Sequence, residues 1–354
     1  MNIFYTASTA RHIRDFHLPI LERLCQDGHS VTVACRNTNA LSGPVSTIEV
    51  PYAKSFFSPS NLKAWFRLFS HFRCQPFDLV LTHTALAGFL TRSALALAGK
   101  KGACCVHTAH GYLFGKNAPL KGRLTWPFER LCAGVTDAVF TMNAEDYGYA
   151  KKLVRKGGQA IAIPGMGVDL SHFAPPAPGE KEKLRKELGL PDGFLLLYAA
   201  EFSKRKNHRP LLSAMAQTAP HMRLLLAGDG KLEKTVRRQA ARLPSDKVLF
   251  LGYIPDTAPL LKACDGAVSC SLSEGLPLGI MEALVCGLPV AASRVKGHTD
   301  LFHSDVSCLF NPRNPREIAK CIETLEKTPR GGILEICGQE SAASFFIQSL
   351  WKLL

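Results

Sequence analysis

Short, unbroken apolar runs alternate along the chain with longer segments whose apolar residues recur at helical spacing. Ile3 to Tyr5, Ser30 to Cys35, Thr47 to Val50, Leu79 to His83, Cys104 to His107 and Ala138 to Met142 read as strands. A second series reads the same way: Phe194 to Ala199, Met222 to Ala227, Val248 to Leu251, Ala267 to Ser271, Pro289 to Ser293 and Cys308 to Phe310. Strands that are apolar throughout, rather than at every second residue, are covered on both faces, as in parallel sheets clothed by helices. Between the two series lies Ala174-Pro-Pro-Ala-Pro-Gly179, which cannot form regular structure and predicts a linker. The expected fold class is α/β, with two Rossmann-like, doubly wound domains facing a cleft. Residues 1–173 form the first domain, 174–338 the second, and 339–354 a helix crossing back onto the first. That helix has an apolar set of Phe345, Phe346, Leu350, Trp351 and Leu354, with Trp351 as its expected anchor.

Composition narrows the classes. The 354 residues suit about two domains at roughly 150 residues each. With 46% hydrophobic and 20% charged residues, the chain is globular rather than disordered. Its 43 Lys plus Arg exceed 29 Asp plus Glu by +14, so an anionic partner is expected: nucleic acid, an acidic membrane or a phosphorylated small molecule. The 12 cysteines fall on apolar runs (Cys104-Cys105, Cys264, Cys270, Cys286) without CxxC or zinc-type His spacing, which predicts buried free thiols in a reducing compartment. The N-terminal residues lack the charged and apolar regions of a signal peptide. The best membrane-span candidate, residues 85 to 99, is broken by Arg92 and is shorter than the ~18 residues a span needs. A cytosolic or peripheral protein is expected.

Ligands of open α/β sheets sit beyond the carboxyl ends of strands, so the chemistry is sought there. After Ala267 to Ser271 comes Leu-Ser-Glu-Gly-Leu-Pro-Leu-Gly-Ile-Met-Glu, with Glu274 and Glu282 around Gly275, Pro277 and Gly279. Glycines allow close backbone approach and the helix-start amides favour phosphate or sugar hydroxyls; alternatively the two acids merely complement the helix dipole. The segment Ala200-Glu-Phe-Ser-Lys-Arg-Lys-Asn-His208 reads as an anion-binding loop or a solvated basic turn. His110 follows a buried strand and precedes a glycine, which suits either a cleft-facing or a structural imidazole. The first strand runs into Thr6-Ala-Ser-Thr-Ala-Arg-His12, where Ser8, Thr9 and His12 would line the cleft. A nicotinamide enzyme would carry G-x-G-x-x-G there.

Several motifs occur together in order. Glu274-x7-Glu282 is followed by Cys-Gly-Leu-Pro-Val-Ala-Ala-Ser293, and Ala227-Gly-Asp-Gly230, Phe250-Leu-Gly-Tyr-Ile254 and Leu309-Phe-Asn-Pro-Arg-Asn-Pro-Arg-Glu-Ile318 lie around it. The first half adds His107-Thr-Ala-His-Gly-Tyr-Leu-Phe114, Met142-Asn-Ala-Glu-Asp-Tyr147 and Pro164-Gly-Met-Gly-Val-Asp-Leu170. Over roughly residues 1 to 325 the chain resembles family 4 retaining glycosyltransferases of the GT-B type, in the branch that builds capsular and exopolysaccharides. The resemblance implies transfer of a sugar from a nucleoside diphosphate, UDP being the commonest, to a lipid-linked or growing glycan. It places Glu282 on the ribose hydroxyls, Glu274 at the donor sugar, and the backbone of Gly275, Leu276, Pro277, Leu278 and Gly279 along the sugar and diphosphate. It places Ile254 at the nucleobase edge, Lys206 on the diphosphate, and His110 at the donor sugar and diphosphate. The usual arginine before Lys206 is Glu201 here, which leaves Lys204 and Arg205 as candidate replacements. The chain lacks the Asp-x-Asp pair of metal-dependent relatives, so no metal and no cofactor are expected. A nucleotide-sugar epimerase and a non-catalytic sugar-nucleotide-binding subunit are the alternatives.

The segment Ser60 to Arg73 has Leu62, Trp65, Phe66, Phe69 and Phe72 at helical spacing, with Lys63, Arg67, Ser70 and His71 opposite. Its aromatic face either packs on the core or enters a membrane interface with Lys63, Arg67 and Arg73 towards lipid phosphate. Residues 1–176 hold 19 Lys plus Arg against 10 Asp plus Glu, so most of the excess charge lies in the first domain. An anionic membrane surface on the inner face of the plasma membrane is therefore an expected partner. Nucleic acid is not, since the charge is dispersed and no recognition module occurs.

Overall fold

Among the described residues thirteen strands form, and every predicted run is among them: β1 Asn2–Thr9, β2 Ser30–Arg36, β3 Ser46–Glu49, β4 Leu79–His83, β5 Cys104–Ala109, β6 Ala138–Thr141, β7 Gln159–Ala162, β8 Phe194–Ala199, β9 Met222–Ala227, β10 Val248–Gly252, β11 Gly266–Ser269, β12 Val290–Ser293 and β13 Ser307–Phe310. The computed structural model describes residues 1–53, 55–56, 58–100, 102–115, 120–302, 307–331 and 338–354. The strand that sequence did not predict is β7, a short edge strand with no buried residue, although Ala160 to Ile163 is an apolar run.

One sheet has the order β3-β2-β1-β4-β5-β6-β7 and the other β10-β9-β8-β11-β12-β13. Every pairing is parallel. The apolar runs explain this arrangement directly. Along β8, Leu196 and Tyr198 enter one core cluster with Leu224, Leu226 and Ile322, while Leu195 and Leu197 enter another with Leu225, Ile280 and Leu284. Both faces of the sheet are thus covered, which needs apolar residues at successive positions. Each fully buried leucine contributes about 1.5–3 kcal/mol relative to exposure.

The chain divides into two compact units, Met1–Gly167 with Cys337–Leu354, and Val168–Ile336. The division falls a few residues before the proline-rich stretch, which has no regular structure from 174 to 177. In the first unit the helix Gln339–Trp351 packs on the helix Leu18–Gln26, with the Trp351 and His29 rings 5.1 Å apart. Its buried face is Ala342, Ala343, Phe346, Ile347, Ser349 and Leu350; Phe345 and Leu354, expected in that set, are exposed.

Two other expectations are corrected. Cys308 and Cys321 form a disulfide that joins β13 to the helix Pro315–Leu325, so the thiols are not all free. Cys74 is moreover exposed, at the end of its helix where no neighbour covers it. The helix Ser60–Cys74 buries Asn61, Ala64, Leu68 and Phe72, so of the expected aromatic stripe Phe72 enters the core while Leu62 and Phe66 do not. Trp65 and Phe69 are half-buried and stacked, whereas Leu62 and Phe66 are 60% and 57% exposed, beside exposed Lys63 and Arg67. The i, i+3, i+4 spacing allowed two apolar stripes, and the one through Ala64, Leu68 and Phe72 took the core side, where it packs on the helix Ala85–Leu97 through Ala87, Leu90 and Ala94.

Candidate active site

In the second unit the strand order reverses between β8 and β11, and the loops after those two strands meet. Lys206 Nζ donates to Glu274 Oε1 at 2.6 Å, and Arg205 Nη1 donates to Glu274 Oε2 at 2.6 Å and to the Ser273 carbonyl at 3.1 Å. Backbone geometry fixes this meeting. The Leu272 amide donates to the Arg205 carbonyl at 2.8 Å, and the Tyr198 hydroxyl donates to the Lys206 carbonyl at 2.7 Å. Asn207 takes the left-handed conformation (φ 56°) and its Nδ2 donates to the Pro312 carbonyl at 2.8 Å, turning the chain into the helix His208–Met215. Gly228 explains part of the Ala227-Gly-Asp-Gly230 motif: at φ 146° an added Cβ would lie 2.2 Å from the Ala200 carbonyl oxygen, so only glycine lets the basic loop rest there.

Glu274 is 9% exposed. Burial acts to raise its carboxyl, but Lys206 and Arg205 outweigh burial and hold it down at about 2. Burial lowers the Lys206 ammonium, while Glu274 opposes that effect. The cluster is one carboxylate held by two cations. It adjoins the helix Leu278–Val285, whose N-terminus has no side-chain cap, so cations and helix amides together favour an anionic group. Glu201, at the position where the resemblance expects arginine, is exposed and its charge acts on Lys206; the second cation on Glu274 is Arg205.

Glu282 does not join this cluster. Its Oε2 accepts from Thr257 Oγ1 at 3.4 Å, near the His172–Asp256 pair, and burial raises its carboxyl to about 7. Ile254, half-buried, packs on the core that contains Ile280 and Leu284 from the Glu282 helix. Gly275 and Leu276 lead into Pro277, which caps the helix that Leu278 and Gly279 begin; a Cβ on Gly279 would meet nothing nearer than the Ala199 carbonyl at 4.0 Å. His298 was not singled out from the sequence. It is buried, receives or donates a 3.0 Å hydrogen bond with Ser293 Oγ through Nδ1, and feels the charges of Glu274 and Lys206. The available signal was its position just after β12, the same strand-end rule that located Glu274.

In the first unit the order reverses between β1 and β4. Ser8 Oγ and Thr84 Oγ1 lie 2.6 Å apart across that point. Thr84 has φ 64° and ψ 149°, an outlying conformation for a β-branched residue that costs on the order of 1–3 kcal/mol. The Thr9 hydroxyl accepts from the His12 amide and caps the helix Ala10–Phe16. His110 Nε2 lies 3.2 Å from His83 Nδ1, and His12 and His17 sit against it with ring centroids 4.9 and 5.3 Å away. Sequence reasoning missed His17 and His83 because neither stands at a loop: one ends a helix and the other a buried strand. Burial lowers all four imidazoles, His12 to about 4, so they are neutral near pH 7.

The family "Glycosyl transferases group 1" matches residues 180–341, and "Glycosyl transferase 4-like domain" matches residues 17–165. The chain is 33% identical over 348 residues to the putative glycosyltransferase EpsD of Bacillus subtilis, covering 96% of this chain and 90% of that one. The chain belongs to the group 1 glycosyltransferases. A second relative of this glycosyltransferase is the UDP-Gal:alpha-D-GlcNAc-diphosphoundecaprenol alpha-1,3-galactosyltransferase of Escherichia coli, 28% identical with 80% and 76% of the two chains covered. Among solved structures, the sucrose-phosphate synthase of Thermosynechococcus elongatus matches at TM-score 0.79 and 22% identity, covering 100% of this chain and 99% of that one. Anabaena HepE in complex with UDP and glucose matches at TM-score 0.74 and 20% identity, covering 99% and 98%. The glycosyltransferase thus has the GT-B fold of two parallel-sheet α/β domains.

Proposed function

We propose that this glycosyltransferase moves a sugar from a UDP-sugar, with retention of configuration, to a lipid-linked glycan during exopolysaccharide, capsule or O-antigen assembly. The carrying observation is the Glu274 carboxylate held by Lys206 and Arg205 beside an uncapped helix N-terminus. In the transfer, the bond from sugar C1 to the diphosphate oxygen breaks, an acceptor hydroxyl oxygen bonds C1, and the hydroxyl proton passes to the departing diphosphate. Negative charge grows on the departing diphosphate, and Lys206, with Arg205, lowers the barrier by stabilising it. Glu274 contacts the donor sugar, the backbone of Gly275 to Gly279 the diphosphate, Glu282 the ribose, and Ile254 the base. From the first unit, His110 contacts the donor, and Ser8, Thr9 and His12 the acceptor. The relatives support the substrate class: one is a UDP-Gal transferase whose acceptor is a diphosphoundecaprenol, and one neighbour is a complex with UDP.

Because Lys206, Arg205 and helix amides neutralise the diphosphate, the reaction is proposed to need no metal. Transfer is measured with UDP-sugars and undecaprenyl-diphosphate glycans. Glu274→Ala and Lys206→Ala are each expected to reduce turnover by about 10²–10³-fold, with wild-type activity surviving EDTA. Full activity of either variant overturns the assignment of the site; donor turnover without acceptor overturns transfer.

Among the described residues, no helix is long and apolar enough to cross a membrane. The proposed contact with lipid is the outer face of the helix Ser60–Cys74, where exposed Leu62 and Phe66 stand among Lys63, Arg67 and Arg73. That mixture of cations and apolar groups suits an anionic bilayer surface on the cytoplasmic side. Charge reversal at Lys63, Arg67 and Arg73 is expected to abolish co-sedimentation with phosphatidylglycerol vesicles at low salt; unchanged binding sinks this part.

A further inference from the structure

His12 lies in the short helix after β1, His17 ends that helix, and His110 follows β5. One possible ligand nitrogen from each of the three lies within 4.8 Å of the other two. The ring centroids are 5.0 Å apart for His12 and His17, 4.9 Å for His12 and His110, and 5.3 Å for His17 and His110. Three imidazoles bound to one tetrahedral Zn²⁺ at Zn–N of about 2.05 Å have centroids about 5.2 Å apart. The ring centroids therefore have the spacing of such a set, while the nitrogens, within 4.8 Å of one another, would have to close to about 3.3 Å as the rings turn onto the ion. Spacing alone is what packed rings also show. Two further observations point to a ligand.

The Nε2 atoms of His12 and His17 are buried and have no hydrogen-bond partner among the described residues. A buried polar atom without a partner costs on the order of 1–3 kcal/mol, which a bound cation removes. Metal-binding histidines also hold their other nitrogen on a hydrogen bond that fixes tautomer and ring orientation. Here the Tyr5 hydroxyl lies 2.7 Å from His17 Nδ1, fully buried, and His83 Nδ1 is 3.2 Å from His110 Nε2. Tyr5 and His83 are themselves stacked with centroids 4.6 Å apart, so the two supporting groups brace one another.

We propose that His12, His17 and His110 form a binding site for one Zn²⁺ ion. The tris-imidazole set leaves a fourth position for water or another oxygen ligand. Imidazole donors favour zinc and its neighbours in the first transition row over Mg²⁺, which prefers oxygen. The site goes beyond the transfer proposed above, which takes its positive charge from Lys206 and Arg205 and needs no metal; it shares His12 and His110 with that reading, and its test reads binding rather than turnover.

Full-length protein stripped with a chelator is titrated with Zn²⁺ alone against a chromophoric competitor. One Zn²⁺ per chain is expected, with affinity unaffected by excess Mg²⁺. H12Q is expected to weaken binding by about 100-fold or more, beyond what loss of a supporting group gives, and H83Q by about 10- to 100-fold. His12 is only partly buried, so H12Q keeps the fold, which far-UV circular dichroism and the melting temperature verify. X-ray absorption at the zinc edge is expected to show nitrogen and oxygen ligands only. Equal affinity of wild type and H12Q, sulfur ligation by the free cysteines, or absence of stoichiometric binding each overturns the site. A transfer assay that fails leaves these readouts intact, so the two readings fail separately.

Discussion

Glu282 carries an acid–base consequence of its own. Burial holds its carboxyl at about 7, above the ordinary 4.5. Below pH 4.5 it is neutral in both folded and unfolded chains, and between 4.5 and about 7 the folded chain keeps a proton that the unfolded chain has lost. Its contribution to stability is thus complete at low pH and is lost as pH rises through that window. In the proposed ribose contact Glu282 accepts two hydroxyls in its ionised form, so nucleotide binding near pH 6.5 is expected to release a proton. Affinity is expected to rise by up to about tenfold per pH unit below 7, with proton release read from calorimetry in buffers of different ionisation enthalpy. Binding without release would remove Glu282 from the ribose. Glu274 behaves oppositely: Lys206 and Arg205 overcome burial to hold it at about 2, so its contribution is present above 4.5 and is lost on acidification towards 2.

The helix Ala85–Leu97 shows how a single residue changes the meaning of an apolar element. Arg92 breaks an otherwise apolar run, yet it is 1% exposed, and its guanidinium donates to both Glu129 oxygens at 2.9 and 2.8 Å and to the Gly88 carbonyl at 3.0 Å. Burial would lower its pKa, but Glu129 more than restores the charged form. Removing one partner of a buried pair strands the other, so Glu129→Gln is expected to destabilise the protein by about 3–5 kcal/mol in urea unfolding. A loss under 1 kcal/mol would mean that water reaches the guanidinium. The helix Ser60–Cys74 is the opposite case: its periodicity was legible, but the choice of buried stripe was not, since Ala64 and Leu68 outcompeted Leu62 and Phe66 for the core.

Across the molecule, the two sheets repeat one plan: strand order reverses beside the first strand of each, and the clustered polar side chains lie at those two points. A ligand that binds only the folded chain stabilises it by about 2.7 kcal/mol at a hundredfold excess over its Kd. UDP-sugars are therefore expected to raise the melting temperature of the wild type and much less that of Glu282→Ala. NADH is expected to leave both unchanged, and a shift with NADH alone would contradict the donor proposal.

All the strands but β7, their parallel pairing and the strand-end position of each motif were legible in the sequence, because a strand covered on both faces must be apolar at consecutive positions. Glu274 and Lys206 could be named because their motifs, each just after a strand, resemble those of the family. Tertiary structure alone decided that Arg205 shares the Glu274 carboxylate from 69 residues away, that His17 and His83 join His12 and His110, and that Cys308 meets Cys321. Such pairings depend on how crossover helices return distant strand ends to one place. Local hydrophobic periodicity specifies that a return occurs, and leaves the identity of the side chains that meet to the packing of the whole sheet.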